Sequence, residues 1–138
     1  MSRLVAWMVH ISVLAVGLTG VVYGVMRYVL EPADEFALVN HPAEPNWKAA
    51  HILLAPLLLF ACGLVWRGHV WLKISMRMPE RRLTGILLAL LLLPMAASGY
   101  LLQVSEQDSW REIWIWTHGI SGSLWVLTYI AHRLGSDD

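Results

Sequence analysis

Charged residues are scarce in this sequence. Asp, Glu, Lys and Arg make up only 14% of its 138 residues, whereas 57% are hydrophobic. A soluble domain normally contains about 25% charged residues. The ten Lys and Arg residues are balanced by ten Asp and Glu residues, so no basic excess indicates a nucleic-acid partner. The composition predicts an integral membrane protein in contact with lipid.

Cysteine is also nearly absent. Cys62 is the only cysteine and lies in an apolar run, which favours a packing role. The chain cannot form an internal disulfide, and it contains no C-x-x-C-H motif. Covalent c-type haem attachment is therefore excluded within this chain.

Four apolar segments each approach the roughly 20 residues that a transmembrane helix needs, at about 4–28, 49–71, 83–102 and 113–131. The first follows Arg3 and resembles a signal peptide, but it is long and lacks a small-x-small cleavage site, so we expect it to be retained. The sequence predicts a single all-α domain over residues 1–138, an integral membrane four-helix bundle.

The distribution of charge predicts the orientation. Basic residues outnumber the single acid, Glu80, in the segment 73–82 between the second and third apolar segments. The positive-inside rule places this loop, and with it both termini, in the cytoplasm. The loops on the other side are mainly acidic and carry Glu31, Asp34, Glu35, Glu44, Glu106, Asp108 and Glu112.

Five histidines lie within or at the edges of the apolar segments: His10, His51, His69, His118 and His132. An ionisable residue at such a position indicates function, because its burial in a membrane is costly. His41 lies in the first loop and is assigned no role. A histidine-lined proton or metal transporter is one interpretation, although the segment interiors contain no Asp or Glu. A haem-free anchor or assembly subunit with structural histidines is another.

The depths of the histidines favour haem. In the predicted orientation His51 and His118 lie about 5 to 9 Å inside the outer ends of their segments, at one level. His10, His69 and His132 lie toward the cytoplasmic ends, at a second level. Haem b takes two axial imidazoles from neighbouring helices, so two levels predict two non-covalent haems b.

The spacing along each segment supports the same interpretation. His118 and His132 are 132 − 118 = 14 positions apart, about 21 Å along a helix, and face the same way. His51 and His69 are 69 − 51 = 18 positions apart, about five α-helical turns. The third segment carries no histidine. Glycines in the first and fourth segments have two interpretations: they make room for a flat ring, or they only allow helices to pack. They are Gly17, Gly20, Gly24, Gly119 and Gly122.

With His10, His51, the run Trp116-Thr117-His118-Gly119 and His132, the sequence resembles the small di-haem cytochromes b of the bacterial cytochrome b561 type. That group includes the related membrane subunits of formate dehydrogenases and hydrogenases. The resemblance covers most of the chain and implies a multi-pass protein of the bacterial cytoplasmic (inner) membrane. It implies an outer haem held by His51 and His118, and an inner haem held by His10 and His132.

His69 departs from that pattern. Its depth alone allows His69 to pair with His132 as the alternative inner ligand. Otherwise His69, beside Arg67, is placed to contact a haem propionate or a quinone headgroup. Arg27 is a similar candidate at the outer level, or else an interfacial arginine that extends toward water.

The function implied by the resemblance is transmembrane electron transfer. A quinone or quinol would exchange electrons on one side, and a redox partner protein, or an acceptor such as superoxide, on the other. The chain would act alone or as the membrane subunit of a larger complex. Whether it is a quinol-oxidising oxidoreductase subunit is left open, and no catalytic residue is assigned.

Overall fold

A computed structural model of the protein describes residues 2–77 and 81–135. Within these ranges the chain is helical and contains no strand, which confirms the all-α prediction. The elements are α1 (Arg3–Tyr28), α2 (Glu44–Val65), a π-helical turn (Trp66–Trp71), the short α3 (Leu72–Ser75), α4 (Arg82–Val104) and α5 (Asp108–Leu134). The predicted loop residues Met78, Pro79 and Glu80, and the chain ends at Met1 and 136–138, lie outside the described residues.

The chain forms two compact units, Met1–Val65 and Trp66–Asp138. In the first unit α1 packs against α2, and in the second α4 packs against α5 while the π-helical turn and α3 contact α4. Each unit is thus built around a helical hairpin. A single four-helix bundle with both termini in the cytoplasm remains a prediction.

Among residues 2–77 and 81–135, three helical stretches are long and apolar enough to cross a membrane: Arg3–Tyr28, Glu44–Ser75 and Arg82–Val104. Their large apolar side chains point outward, and the leucines at 4, 14, 53, 83 and 93 are each at least 70% exposed. Soluble monomers rarely expose extended apolar surfaces of this kind. The helices therefore have the character of a membrane protein whose outer surface contacts lipid.

The fourth long helix, α5, differs in composition. It has 27 residues, enough to span a bilayer, but it is not among the described stretches that are apolar enough to do so. Charged residues lie in its first turns, and Thr117, His118 and Ser121 interrupt its apolar sequence. The predicted span at 113–131 therefore remains a prediction.

Small and β-branched residues form the contact between the helices of the first unit. Ser12, Val16 and Thr19 of α1 are buried, as are Leu58 and Ala61 of α2. Side chains of this size allow two helix backbones to approach closely. The buried hydroxyl of Ser12 is satisfied within its own helix, because it donates to the carbonyl of Val9 at 3.0 Å.

A large residue is buried in the second unit: Trp125 of α5 is 4% exposed. Its indole Nε1 donates to the carbonyl oxygen of Leu88 in α4 at 3.0 Å. Its ring stacks on Tyr129, with centroids 5.7 Å apart and an interplanar angle of 9°. The bond to Leu88 ties the middle of α5 to α4.

The second long helix begins before the predicted apolar segment at 49–71, because α2 already starts at Glu44. Pro45 lies in the first turn of α2. Proline is compatible with the first turn of a helix, since the backbone N–H that it lacks has no intrahelical partner there. Glu44 is therefore a helical residue, and it is buried.

The π-helical turn corrects the expected alignment of His51 with His69. That expectation assumed an unbroken α-helix, but residues 66–71 follow the wider i→i+5 pattern. The azimuth of His69 relative to His51 therefore does not follow from 3.6 residues per turn. Both Arg67 and His69 lie in this turn.

Candidate functional site

His118 and His132 lie on the same side of α5, because both imidazoles contact α4. The Nδ1 atom of His118 is 2.9 Å from the carbonyl oxygen of Met95 and 3.5 Å from the hydroxyl oxygen of Ser98. The Nδ1 atom of His132 is 2.8 Å from the hydroxyl oxygen of Thr84. Since α5 is α-helical from Asp108 to Leu134, the expected common orientation of the two histidines is confirmed.

The contact residues on α4 repeat at the spacing of the histidines. Thr84-Gly85 lies opposite His132, and Ser98-Gly99 lies opposite His118. The two pairs are 98 − 84 = 14 positions apart, the same separation as the two histidines. We call a hydroxyl residue followed by glycine, facing a histidine of the neighbouring helix, a hydroxyl–glycine pair.

The first unit contains a third hydroxyl–glycine pair, Thr19-Gly20, which faces His51. The Nδ1 atom of His51 is 3.1 Å from the carbonyl oxygen of Val16 and 3.3 Å from the hydroxyl oxygen of Thr19. Met95, Ser98 and Gly99 on α4 have the same i, i+3, i+4 spacing. The two predicted outer ligands are thus held in the same way, each within its own unit.

The hydrogen-bond partners assign the proton on each imidazole. A carbonyl oxygen only accepts, so the Nδ1 atoms of His51 and His118 donate. The hydroxyl of Thr84 donates to the carbonyl of Arg81 at 3.0 Å and therefore accepts from His132. A neutral imidazole protonated at Nδ1 carries its lone pair on Nε2, the form that coordinates a metal.

The glycines allow the rings to lie against the neighbouring backbone. A Cβ atom added at Gly20 would lie 2.8 Å from Cε1 of His51, and one added at Gly99 would lie 3.0 Å from Cε1 of His118. Both separations are shorter than ordinary van der Waals contact. At Gly85 the corresponding distance to His132 is 3.7 Å, which a methyl group accommodates. Gly20 and Gly99 thus have a steric role at the histidines.

The backbone of His132 is also held. Nη1 of Arg81 donates to the carbonyl oxygen of His132 at 3.1 Å. Arg81 precedes α4 and adopts a left-handed conformation, with φ of 51°. The end of α5 is therefore tied to the start of α4 both at the imidazole and at the main chain.

His69 lies in the same unit as His132. Its position in the π-helical turn is notable, because such turns are frequent at functional sites. His10 lies in the first unit, where its ring meets Trp7 edge-on at a centroid distance of 6.0 Å. His10 and His69 both remain candidates for the inner ligand.

Each ligand pair implied by the resemblance takes one histidine from each unit. His51 belongs to the first unit and His118 to the second, and His10 and His132 are divided in the same way. These pairings remain predictions. What the structure shows is the setting of each histidine within its own unit.

Arg27 has a protein partner that the sequence analysis did not anticipate. Its Nη1 atom lies 3.4 Å from Oε1 of Glu44. The other carboxylate oxygen of Glu44 accepts from the backbone N–H of Asn40 at 3.1 Å, and the Asn40 side chain donates to the carbonyl of Arg27 at 2.9 Å. Glu44, expected on the acidic outer face, is thus a buried anchor between α1, the first loop and α2.

His41 has a local role. Its Nδ1 atom accepts a hydrogen bond from the backbone N–H of Ala43 at 3.1 Å, just before α2 begins. This proton assignment is opposite to that of His51 and His118. A bond of this kind stabilises the turn that precedes α2.

No group of three or more His, Cys, Asp or Glu side chains that could hold a metal ion is present among residues 2–77 and 81–135. Comparison with family models, with curated proteins and with solved structures finds no match to this chain.

Proposed function

We propose that this chain is a di-haem b cytochrome that transfers electrons across a membrane between a quinone and a redox partner protein, in the bacterial cytoplasmic membrane. The observation that carries the proposal is the matched pair of histidine settings on one hairpin. His118 and His132 lie on one side of α5, each with Nδ1 directed at α4. Fourteen α-helical residues separate them, a rise of about 21 Å.

The residues fit haem b in their chemistry. Axial histidine ligands coordinate iron through one ring nitrogen while the other donates to a protein acceptor, and that is the state assigned to His51, His118 and His132. Of the helices that carry or contact these histidines, α1, α2 and α4 are apolar, as an apolar macrocycle requires. Each iron would take two imidazoles, so a cluster of three or more ligands is not needed.

Under this proposal His51 and His118 hold one haem iron, and His132 holds the other together with His10 or His69. Bound haem would supply one-electron chemistry. The chain itself orients the imidazoles, fixes their proton positions and excludes water with its apolar helices. Arg67, and His69 when it is not a ligand, would contact a propionate or a quinone headgroup from the π-helical turn.

A redox difference spectrum and a haem assay of the purified full-length protein test the proposal. We expect about two non-covalent haems b per chain, low-spin and six-coordinate, because two imidazoles leave no open axial position. His41→Ala is the matched control, since this histidine only bonds a local turn and its loss should leave the haem content unchanged. A folded, colourless protein would contradict the proposal and select the haem-free anchor.

A further inference from the structure

We propose that the hydroxyl of each hydroxyl–glycine pair is a positioning group that sets the redox potential of the haem held by the histidine it faces. Thr19 would act through His51, Ser98 through His118 and Thr84 through His132. The inference rests on the proposed function, because it requires that these imidazoles bind iron. It adds to that function the residues that determine how strongly each imidazole donates to the metal.

The first step is the direction of the hydrogen bonds. Thr19 donates to the carbonyl oxygens of its own helix, with Ala15 at 2.8 Å and Val16 at 3.1 Å. Ser98 likewise donates to the carbonyls of Pro94 and Met95. Since each hydroxyl proton is used within the helix, the oxygen faces the imidazole as an acceptor. Each of these hydroxyls therefore favours the imidazole form with its proton on Nδ1.

The second step is burial. Ser98 is 1% exposed and Thr19 is 6% exposed, so water does not compete for these contacts. A hydrogen bond in a medium of low polarity is electrostatically stronger than in water. An acceptor at Nδ1–H raises the basicity of the ring, and a more basic axial ligand favours the ferric over the ferrous iron. Removal of the acceptor should therefore raise the midpoint potential.

The third step is a difference among the three pairs. The hydroxyl oxygen lies 2.8 Å from Nδ1 at Thr84, compared with 3.3 Å at Thr19 and 3.5 Å at Ser98. At the two longer contacts Nδ1 also donates to a backbone carbonyl, which a side-chain substitution leaves in place. Thr84 is only half-buried, but its contact is the shortest of the three, so the haem held by His132 should respond most strongly to loss of its hydroxyl.

The test is spectroelectrochemical titration of the purified full-length protein carrying Thr84→Val, which removes the hydroxyl at nearly constant volume. We expect two haems to remain bound and one midpoint potential to rise. The ferrous-to-ferric ratio of that haem should change about tenfold at a fixed potential, which corresponds to about 59 mV for one electron. Thr84→Ser restores the hydroxyl and should restore the potential.

Thr19→Val and Ser98→Ala should each raise the potential of the other haem, by less than Thr84→Val. Ser105→Ala is the matched control for Ser98, because Ser105 directly follows α4 and its hydroxyl donates to the carbonyl of Leu101 in that helix. The low-spin electron paramagnetic resonance signals of Ser105→Ala should be those of the unsubstituted protein. The signals of Ser98→Ala should shift for one haem.

Two haems with unchanged potentials and spectra in all three variants would overturn the inference while leaving the proposed function intact. Absence of haem from the unsubstituted protein would instead reject the proposed function. If Thr84→Val loses a haem, Thr84→Ala and Thr84→Ser provide a second comparison between side chains without and with the hydroxyl. Loss of haem with Ala but not with Ser supports the role of the hydroxyl, and equal loss contradicts it.

Discussion

Gly99→Ala should disturb the imidazole of His118 without removing any hydrogen-bonding group. The new Cβ atom would lie 3.0 Å from Cε1 and 3.2 Å from Nδ1 of the ring, whereas ordinary contact begins at 3.4 Å. The ring must therefore move by at least 3.4 − 3.0 = 0.4 Å, or the helices must separate by a similar amount. Either change strains the 2.9 Å bond from Nδ1 to the carbonyl of Met95.

Two opposing effects determine the stability of this variant. Forcing a methyl group into a packed contact costs about 1–3 kcal/mol. Replacing glycine by alanine in a helix interior contributes about 1 kcal/mol of stability. Gly63→Ala in α2 isolates the second effect, since a Cβ atom added there would meet no described atom within 4 Å other than those of its chain neighbours and its own helix backbone. The free energy of unfolding should therefore be about 1–3 kcal/mol lower for Gly99→Ala than for Gly63→Ala.

Denaturant titration in detergent measures this difference, and the absorbance and electron paramagnetic resonance spectra report on the axial ligand. Gly99→Ala should shift the low-spin signal of one haem. Gly85→Ala should not, because its methyl group would meet His132 at an ordinary distance of 3.7 Å. The steric reasoning is wrong if Gly99→Ala has the stability of Gly63→Ala and the spectra of Gly85→Ala.

Three further predictions concern the ligands and the first unit. Alanine at His51 or at His118 should remove the same haem, as shown by haem content and spectra, and loss of different haems would break the proposed pair. If the resemblance holds at the inner level, His10→Ala should abolish the low-spin signal of that haem while His69→Ala retains it, and the reverse result would make His69 the ligand. Glu44→Gln should lower the free energy of unfolding by about 1–3 kcal/mol, because a buried carboxylate loses its ion pair and charged hydrogen bonds, and a smaller effect would show that the carboxylate is not an anchor.

The helices were largely predictable from the sequence because apolar runs of membrane length have few alternatives. Their local irregularities were not. Pro45 resembles a loop residue unless its place in the first turn of α2 is known. The π-helical turn at 66–71 carries no periodicity of its own in the sequence, so the predicted alignment of His51 and His69 followed an α-helical rule that does not apply through these residues. The sequence around Glu44 contains no apolar pattern that would predict its burial.

The sequence indicates the histidines of the candidate site but not the residues that contact them. Thr84, Ser98 and Gly99 each resemble ordinary small packing residues of a membrane helix. The third segment has no histidine, so the sequence did not indicate that it contributes to the site. The 14-residue repeat of Thr84 and Ser98, equal to the spacing of His118 and His132, was available as a signal. It becomes meaningful only when α4 is known to lie antiparallel to α5, which depends on packing.

The two hydroxyl–glycine pairs on α4 and the two histidines on α5 are each 14 positions apart. The number of residues between them is therefore constrained as well as their identity. Trp125 lies seven positions from each histidine, since 125 − 118 = 7 and 132 − 125 = 7, and it bonds to α4 between the two hydroxyl–glycine pairs. A single inserted residue between Gly85 and Ser98 would rotate one pair by about 100° relative to the other, so both histidines could not remain bonded. Leu90 and Leu93, exposed within that interval, are free to be replaced by other apolar residues. Substitutions there should be tolerated, whereas insertions and deletions should not.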